Sequence, residues 1–410
     1  MLEAQVIGVG AAGNKAALEL LKNGTIGEKN RIMLINSTPK DIPAEYADMF
    51  IQIGSNASLG GCGKEPDIGE RICIDALKEG KLNLEEWVLP TTKIVIVVCS
   101  TEGGTGSGAT PVIAKYLREV MGMNVHVFAF LGFEEDARGL LNTVNFFKRL
   151  PEDVTVEAIR NKNFLEGRNR NYITAEEMDD KEFSIRISIL LGNMIVPSSQ
   201  NMDDTDLYKV ATQTGYMNIE YRTIDDVVKN IDHFNEIVAD MIENTKSLRP
   251  DDKTQKLLGV MINLPERSKD AIDYSCNEII NKYGKPFEKF THVQSDNSVR
   301  SFIAFIIAGM DLPLDDVKGV YERYVQATSA VHKDKDSFFN SLTKLNEKEE
   351  DKEFNLENKT TTTQNRNSFF DSFGESAKPE KKASPKAANG KKEDVLNNME
   401  EVKIWIFHIL

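Results

Sequence analysis

The chain opens on a short apolar run, Val6-Ile7, and three more follow at Ile32–Ile35, Ile94–Val98 and Val125–Leu131. Each is β-branched or aromatic and lacks polar alternation, as expected of strands buried on both faces of a parallel sheet covered by helices. Between them, Lys15–Lys22, Asp67–Leu77 and Pro111–Val120 carry apolar positions at helical spacing. Pro111, shortly after a glycine-rich loop, is expected at an early helical position, where its missing N–H costs little. The repeated strand–helix order predicts a doubly wound α/β fold with a mostly parallel sheet.

The second half continues the pattern more loosely. A long helix is predicted over Phe183–Pro197, closing in Pro197-Ser198-Ser199-Gln200, and a further helical stretch over Ile224–Lys246. Strands are expected at Leu257–Leu264, Phe290–Val293 and Ser301–Ala308, with helices at Ser268–Lys282 and Leu314–Val325 among them. The expected organisation is a first α/β domain over 1–180, a central helix with an acidic loop over 181–215, a smaller C-terminal α/β domain over 216–335, and a tail over 336–410. In that tail Glu347–Glu357 holds six acids and two lysines, and Lys378–Lys392 holds six lysines and one glutamate. Low hydrophobicity with blocks of charge reads as disorder.

Length and composition sharpen this picture. The 410 residues, 40% hydrophobic and 28% charged, suffice for two or three domains with cores of their own. A formal net charge of −14 makes the body a poor candidate for direct nucleic-acid binding, because phosphates need a basic face. Cys62, Cys73, Cys99 and Cys276 are scattered, which predicts reduced thiols in a cytoplasmic protein with neither disulfides nor a zinc site. Met1-Leu2-Glu3-Ala4-Gln5 carries no basic region followed by an apolar one, so no secretory signal is expected. No window approaches the ~20 apolar residues of a membrane span.

Two glycine loops carry the chemistry. Gly8-Val9-Gly10-Ala11-Ala12-Gly13 follows the first strand and opens a helix, a literal G-x-G-x-x-G pattern whose backbone amides can approach a pyrophosphate. A dinucleotide site of that kind also needs an acid about 20 residues on for the ribose. At the end of the second strand the chain has Asn36-Ser37-Thr38 instead. A tight turn for helix–strand packing is the competing reading of this loop. The second loop, Thr101-Glu102-Gly103-Gly104-Thr105-Gly106-Ser107-Gly108, follows the most apolar strand. Its glycines expose consecutive amides as an anion cradle, and Thr105 and Ser107 add hydroxyl donors. It has no lysine at the position a P-loop requires.

Gly103–Gly108 resembles the G-G-G-T-G-[ST]-G signature of the tubulin/FtsZ family, with Glu102 at its first position. Other stretches fall in the family's order. Gly8–Asn14, including Gly10, Ala11 and Ala12, resembles the first nucleotide loop, and Asn14 falls where FtsZ-like proteins carry an asparagine near the base. Gly61-Cys62-Gly63-Lys64-Glu65-Pro66-Asp67-Ile68-Gly69 resembles the loop that closes on the γ-phosphate. Phe133-Glu134 with Arg138 resembles the ribose-contacting loop, and Asn161 a further sugar contact. Taken without those neighbours, Glu134 and Arg138 read as a solvated i,i+4 pair. Asp180 and Phe183 are candidates for contacting the base. The resemblance implies GTP and GDP as ligands, with Mg2+ carried on the nucleotide and no metal site of the protein's own.

Asn201-Met202-Asp203-Asp204-Thr205-Asp206 resembles the family's N-x-D-x-x-D segment, matched by Asn201, Asp203 and Asp206. On its own, an acidic turn after a helix is usually a solvated cap. The resemblance implies instead that these acids lie opposite the bound nucleotide and act on a neighbour's, in a head-to-tail homopolymer. Such a heterologous contact is open-ended and builds a filament. A carboxylate there can orient the attacking water, so the expected activity is a GTPase stimulated by polymerisation.

Leu34–Asp41 and Gly61–Lys64 look more like the phage- and plasmid-encoded tubulins of the TubZ and PhuZ types than like division FtsZ. That resemblance implies a cytoplasmic filament that segregates plasmid DNA or positions phage DNA. The net +5 of Lys378–Lys392 suits DNA or an acidic adaptor, and it equally suits a solubilising tail. Open alternatives are an FtsZ-like division or structural filament, a member that binds GTP without hydrolysing it, and a Rossmann-type oxidoreductase supported by the first loop.

Overall fold

The structure, a computed structural model, describes residues 2–54, 61–164, 171–194, 202–224, 228, 230–250, 255–265, 272–296 and 300–329. In chain order the elements are β1 (Ala4–Val9), α1 (Gly10–Lys22), β2 (Ile32–Asn36), β3 (Phe50–Gln52), α2 (Pro66–Lys78), α3 (Leu84–Trp87), β4 (Ile94–Ser100), α4 (Gly104–Lys115), β5 (Val125–Phe130), α5 (Ala137–Arg149) and β6 (Thr155–Ile159). They continue with α6 (Tyr172–Leu190), α7 (Asp204–Ala211), β7 (Gly215–Thr223), α8 (Ile231–Glu243), β8 (Leu257–Asn263), α9 (Ile272–Tyr283), β9 (Glu288–Gln294), β10 (Phe302–Met310) and α10 (Leu314–Ser329). The tail and Asn201 lie outside the described residues.

All ten strands share one sheet, in the order β3-β2-β1-β4-β5-β6-β7-β10-β8-β9. Neighbours pair in parallel except β10, which runs antiparallel to both β7 and β8. This is the mostly parallel α/β sheet that the unbroken apolar runs predict: every residue of β1, β2 and β5 is buried. Strand order reverses between β1 and β4, and in such sheets ligands bind outside the strand C-termini at that switch point. Met1–Ala327 form one compact unit. No described helix is long and apolar enough to cross a membrane.

Helices cover both faces, and two glycine contacts let them approach closely. A Cβ on Gly13 of α1 would overlap the Val98 carbonyl of β4, and one on Gly108 of α4 would overlap the Pro66 carbonyl of α2. Glycines at these positions let α1 press onto the sheet and α4 onto α2. In the core, Phe183 of α6 meets Phe128 of β5 edge-to-face at 4.8 Å between ring centroids.

Three local expectations change. The long helix begins at Tyr172, well before Phe183, because Asn171 and Thr174 form a capping box at its start. Pro111 sits deep inside α4 rather than near its beginning. The helix has already opened at Gly104, through the glycine loop itself, and beyond Lys115 it runs into a π-helical turn. Strands β6 and β7, absent from the sequence reading, carry the fully or nearly fully buried charges Glu157 and Glu220, which hide them from an apolar-run criterion.

Candidate functional site

A cavity of about 490 Å³ opens at the switch point, outside the C-terminal ends of β1, β4 and β5. Its wall includes Gly10, Ala11 and Ala12 after β1 and Gly103, Gly104, Thr105 and Gly106 after β4. These residues begin α1 and α4, so two helix N-termini converge on one space. Neither N-cap makes a side-chain hydrogen bond, and neither first turn holds an acid. The free N–H groups and the positive dipole ends therefore face the cavity uncompensated, the arrangement that binds a polyanion. The Thr105 hydroxyl lies on this wall, 3.1 Å from Ser37 Oγ and 3.3 Å from Cys62 Sγ.

The rest of the wall is acidic. Asp179 and Asp180 of α6 line it with Glu176, Asp41 and Glu102, against two lysines, Lys15 and Lys64. Asp179 is only 3% exposed, and neither carboxyl oxygen has a hydrogen-bond partner among the described residues. Burial, reinforced by Asp180 and Glu176, pushes its carboxyl up to about 8. Burial likewise raises Asp180 to about 7, with Lys15 acting in the other direction. A buried acceptor left unpaired is costly, so Asp179 marks where a ligand with N–H donors would dock. Phe133, stacked edge-to-face on Tyr172 at 4.9 Å, supplies an aromatic surface on the same wall.

Several predicted contacts lie elsewhere. Asn14 is buried off the cavity, its carboxamide bridging the Ile35 N–H (3.2 Å) and carbonyl (3.3 Å). It ties α1 to β2, and the next residue, Lys15, reaches the wall, held by Glu176 at 2.9 Å. The Ser107 hydroxyl is spent on the Gly103 carbonyl. Lys64, with φ of +62°, lines the cavity and bonds Asp136, a contact that depresses the Asp136 carboxyl. Gly63 beside it is not on the wall. Asn142 fastens this loop to the second glycine loop, donating to the Lys64 and Glu102 carbonyls at 3.0 Å each. Glu134 and Arg138 are not paired with each other: Arg138 bonds Glu65, while Glu134 is turned away under Lys162, Arg160 and Arg323. Asn161 lines the cavity. Phe183 is fully buried in the core and does not reach it; of the two base-contact candidates on α6, only Asp180 does. Lys15, Asp41, Glu102, Glu176 and Asp179 were not assigned from sequence. A doublet of acids in an otherwise mixed helix was the available signal for Asp179.

Asp203 and Asp206 are absent from this wall. They form a capping box at the start of α7: Asp203 Oδ1 accepts from the Thr205 and Asp206 amides at 2.8 and 2.9 Å, and Asp206 Oδ2 from the Asp203 amide at 3.3 Å. Asn124, just before β5, donates to Tyr208 Oη of α7 at 3.0 Å. So α7 lies by the N-terminal end of β5, while the cavity lies beyond its C-terminal end.

Comparison with known proteins agrees with this geometry. Residues 3–167 match the family model described as the tubulin/FtsZ family, GTPase domain. Cell division protein FtsZ 1 of Pyrococcus horikoshii is 34% identical over 163 residues, 39% of this chain and 42% of that protein. The match thus spans about two fifths of the curated relative's length. Among solved structures, a GTPγS-bound protofilament of CetZ2 from Haloferax volcanii aligns with a TM-score of 0.66 at 19% identity, covering 80% of this chain and 99% of that one. TubZ of Clostridium botulinum phage c-st aligns at 0.61 and 17% identity, covering 80% and 98%. Residues 3–167 thus match the tubulin/FtsZ GTPase-domain family, and the chain has the tubulin/FtsZ fold.

Proposed function

We propose that this chain binds GTP in the switch-point cavity and hydrolyses it when a second copy stacks head to tail. The carrying observation is Asp179, a buried carboxylate without partners in a cavity whose other wall is two uncapped helix N-termini. Triphosphate oxygens accept from the free amides at one end. Guanine presents N1–H and N2–H donors side by side, which the Asp179 carboxyl satisfies on giving up its proton, whereas adenine turns a ring-nitrogen acceptor toward the same place. A divalent cation such as Mg2+ enters on the phosphates; among the described residues no three acids, histidines or cysteines meet as a protein-built metal site.

Asp203 and Asp206 act on the neighbour's nucleotide, because their own lies beyond the far end of β5. The exposed large hydrophobic side chains support such stacking: Ile68, Tyr172 and Ile173 sit near the cavity, and Tyr208 and Phe287 near α7. Two complementary apolar poles suit a heterologous, open-ended contact. The resemblance of Leu34–Asp41 and Gly61–Lys64 to phage and plasmid tubulins extends the reading to a cytoplasmic filament that positions or segregates DNA. The lysine-rich tail would contact DNA or an adaptor. Deleting residues 341–410 should then spare polymerisation while removing that partner.

Thermal shift separates the ligand readings: GTP and GDP raise the unfolding temperature, while NAD and ATP do not. Equal stabilisation by NAD or ATP would refute the guanine assignment. For the chemistry, Asp203→Asn keeps a good N-cap and removes the charge. It should bind GTP as the parent does but release phosphate slowly, with filaments persisting in the electron microscope. A parental phosphate-release rate from Asp203→Asn, or a per-molecule rate unchanged by dilution, rejects catalysis by a neighbour.

A further inference from the structure

The family resemblance assigns the ribose to Glu134, yet Glu134 cannot serve it in this fold. Its side chain is 4% exposed and does not line the cavity; Oε2 is paired with Lys162 Nζ at 2.7 Å and Arg323 Nε at 2.8 Å, and Oε1, which has no hydrogen-bond partner among the described residues, faces Arg160 at 3.6 Å. The backbone there is left-handed, with φ of +58°, so the side chain leaves the cavity while the peptide N–H points the other way. That N–H donates to Glu102 Oε1 at 2.7 Å. Glu102 takes the first position of the glycine loop, and its carboxyl lies on Gly132, where any Cβ would overlap it. Its Oε2 has no partner among the described residues, and the side chain lines the cavity. Asn161, 7% exposed, lines the same wall, with a buried Oδ1 that also has no partner.

From these positions we infer that Glu102 and Asn161 hold the ribose hydroxyls of the bound nucleotide, replacing Glu134. Glu102 follows β4, Gly132 and Phe133 follow β5, and Asn161 follows β6, so the pair flanks the aromatic surface on neighbouring strand ends. A ribose diol carries two O–H donors, and Glu102 and Asn161 each offer an unfilled acceptor, one of them charged. Burial raises the Glu102 carboxyl, and a hydroxyl donor to its ionised form would offset that cost. Glu134 becomes a positioning residue: its cation cluster fixes the amide that orients Glu102. The inference rests on the guanine-nucleotide reading but can fail without it.

Calorimetric titration of the full chain with GTP, 2′-deoxyGTP and 3′-deoxyGTP tests this. Hydrogen bonds to a charged acceptor contribute enough that the parent should bind GTP about tenfold or more tightly than at least one deoxy analogue. Glu102→Gln and Asn161→Ala should shrink that ratio toward one by weakening GTP. Glu134→Gln loosens the cation cluster but keeps the amide that holds Glu102, so it should shrink the ratio less than Glu102→Gln does. The parent measurement needs no variant to fold. Equal binding of GTP and both analogues overturns the sugar assignment while leaving the guanine reading intact. Loss of the ratio in Glu134→Gln with its retention in Glu102→Gln overturns it too. Failure of the parent to bind GTP at all removes the guanine reading and this inference together.

Discussion

Two acids one turn apart on α6 meet opposite fates. Glu182 is 3% exposed, and both oxygens are used: Oε1 accepts from Arg186 Nε at 2.8 Å, and Oε2 from Lys246 Nζ at 2.6 Å and Tyr221 Oη at 3.2 Å. Although burial raises its carboxyl, Arg186 and Lys246 bring it below the usual range. Asp179 is equally buried, has no partner, and titrates at about 8 because of that burial and its acidic neighbours. The helix, residue class and depth are shared; what differs is whether the fold supplies the counter-group. Where it does, the acid is architecture. Where it does not, the acid awaits a ligand. The lesson is that satisfaction, more than burial or charge, separates structural from functional polar groups here.

The strongest way to break the comparison is through Arg186. It is fully buried and joins α6 to β6 and the segment after α8, through Glu157 Oε1 at 2.6 Å and Ser247 Oγ at 2.8 Å, besides Glu182. Arg186→Met leaves Glu157 and Glu220 without their cation and Glu182 with Lys246 alone, and should lower stability by about 3–5 kcal/mol in urea denaturation. Asp179→Asn should instead hold or raise the stability of the ligand-free protein, since it removes an unpaired buried acid. It should weaken GTP by roughly 10–100-fold, because an amide N–H or a poorer acceptor now faces the guanine donors. Should Asp179→Asn lose stability as Arg186→Met does and bind GTP normally, both acids are architecture and the contrast disappears.

Much of the fold was legible because its parallel strands are solid apolar runs. The two glycine loops were legible because only an anion cradle uses amides so densely. What escaped has physical causes. Glu157 on β6 and Glu220 on β7 interrupt strands with acids that Arg186, from a different element, neutralises, helped by the Ile219 amide and the Thr245 hydroxyl. Asn14 follows the motif in sequence, but helical geometry turns it onto β2 and leaves Lys15 at the cavity. The fate of Glu134 depends on a left-handed backbone and on Arg323, nearly 190 residues away, which no local pattern contains.

A pH series sharpens the contrast without touching the ligand. Asp179 titrates at about 8 in the fold against its ordinary 3.8. Between those values the folded chain keeps a proton that the unfolded chain has released, so stability falls as pH rises through that window. Glu157, raised by burial to about 7 despite Arg186, adds in the same direction. The ligand-free parent should therefore melt lower at pH 8 than at pH 5, and Asp179→Asn should show a shallower decline. A shift of about 2–4 °C per kcal/mol makes this readable by calorimetry. Parallel slopes in the two proteins would mean that Asp179 ionises normally, hence that it has a partner or water the fold conceals.

The smallest effect tests the satisfied side of the pair. Lys246 is bound to Glu182 and lies over the Phe164 ring at 4.8 Å, but its side chain is 39% exposed, so solvent screens most of the attraction. Lys246→Met keeps the apolar stem and removes the charge while Arg186 still neutralises Glu182. The expected loss is about 0–1 kcal/mol by urea denaturation, with GTP affinity unchanged. Glu182 would then remain a structural acid whose ionisation depends on the buried cation alone. A loss rivalling that of Arg186→Met would mean that Glu182 depends equally on both cations. Its difference from Asp179 would then lie in the number of counter-charges, not in one buried arginine.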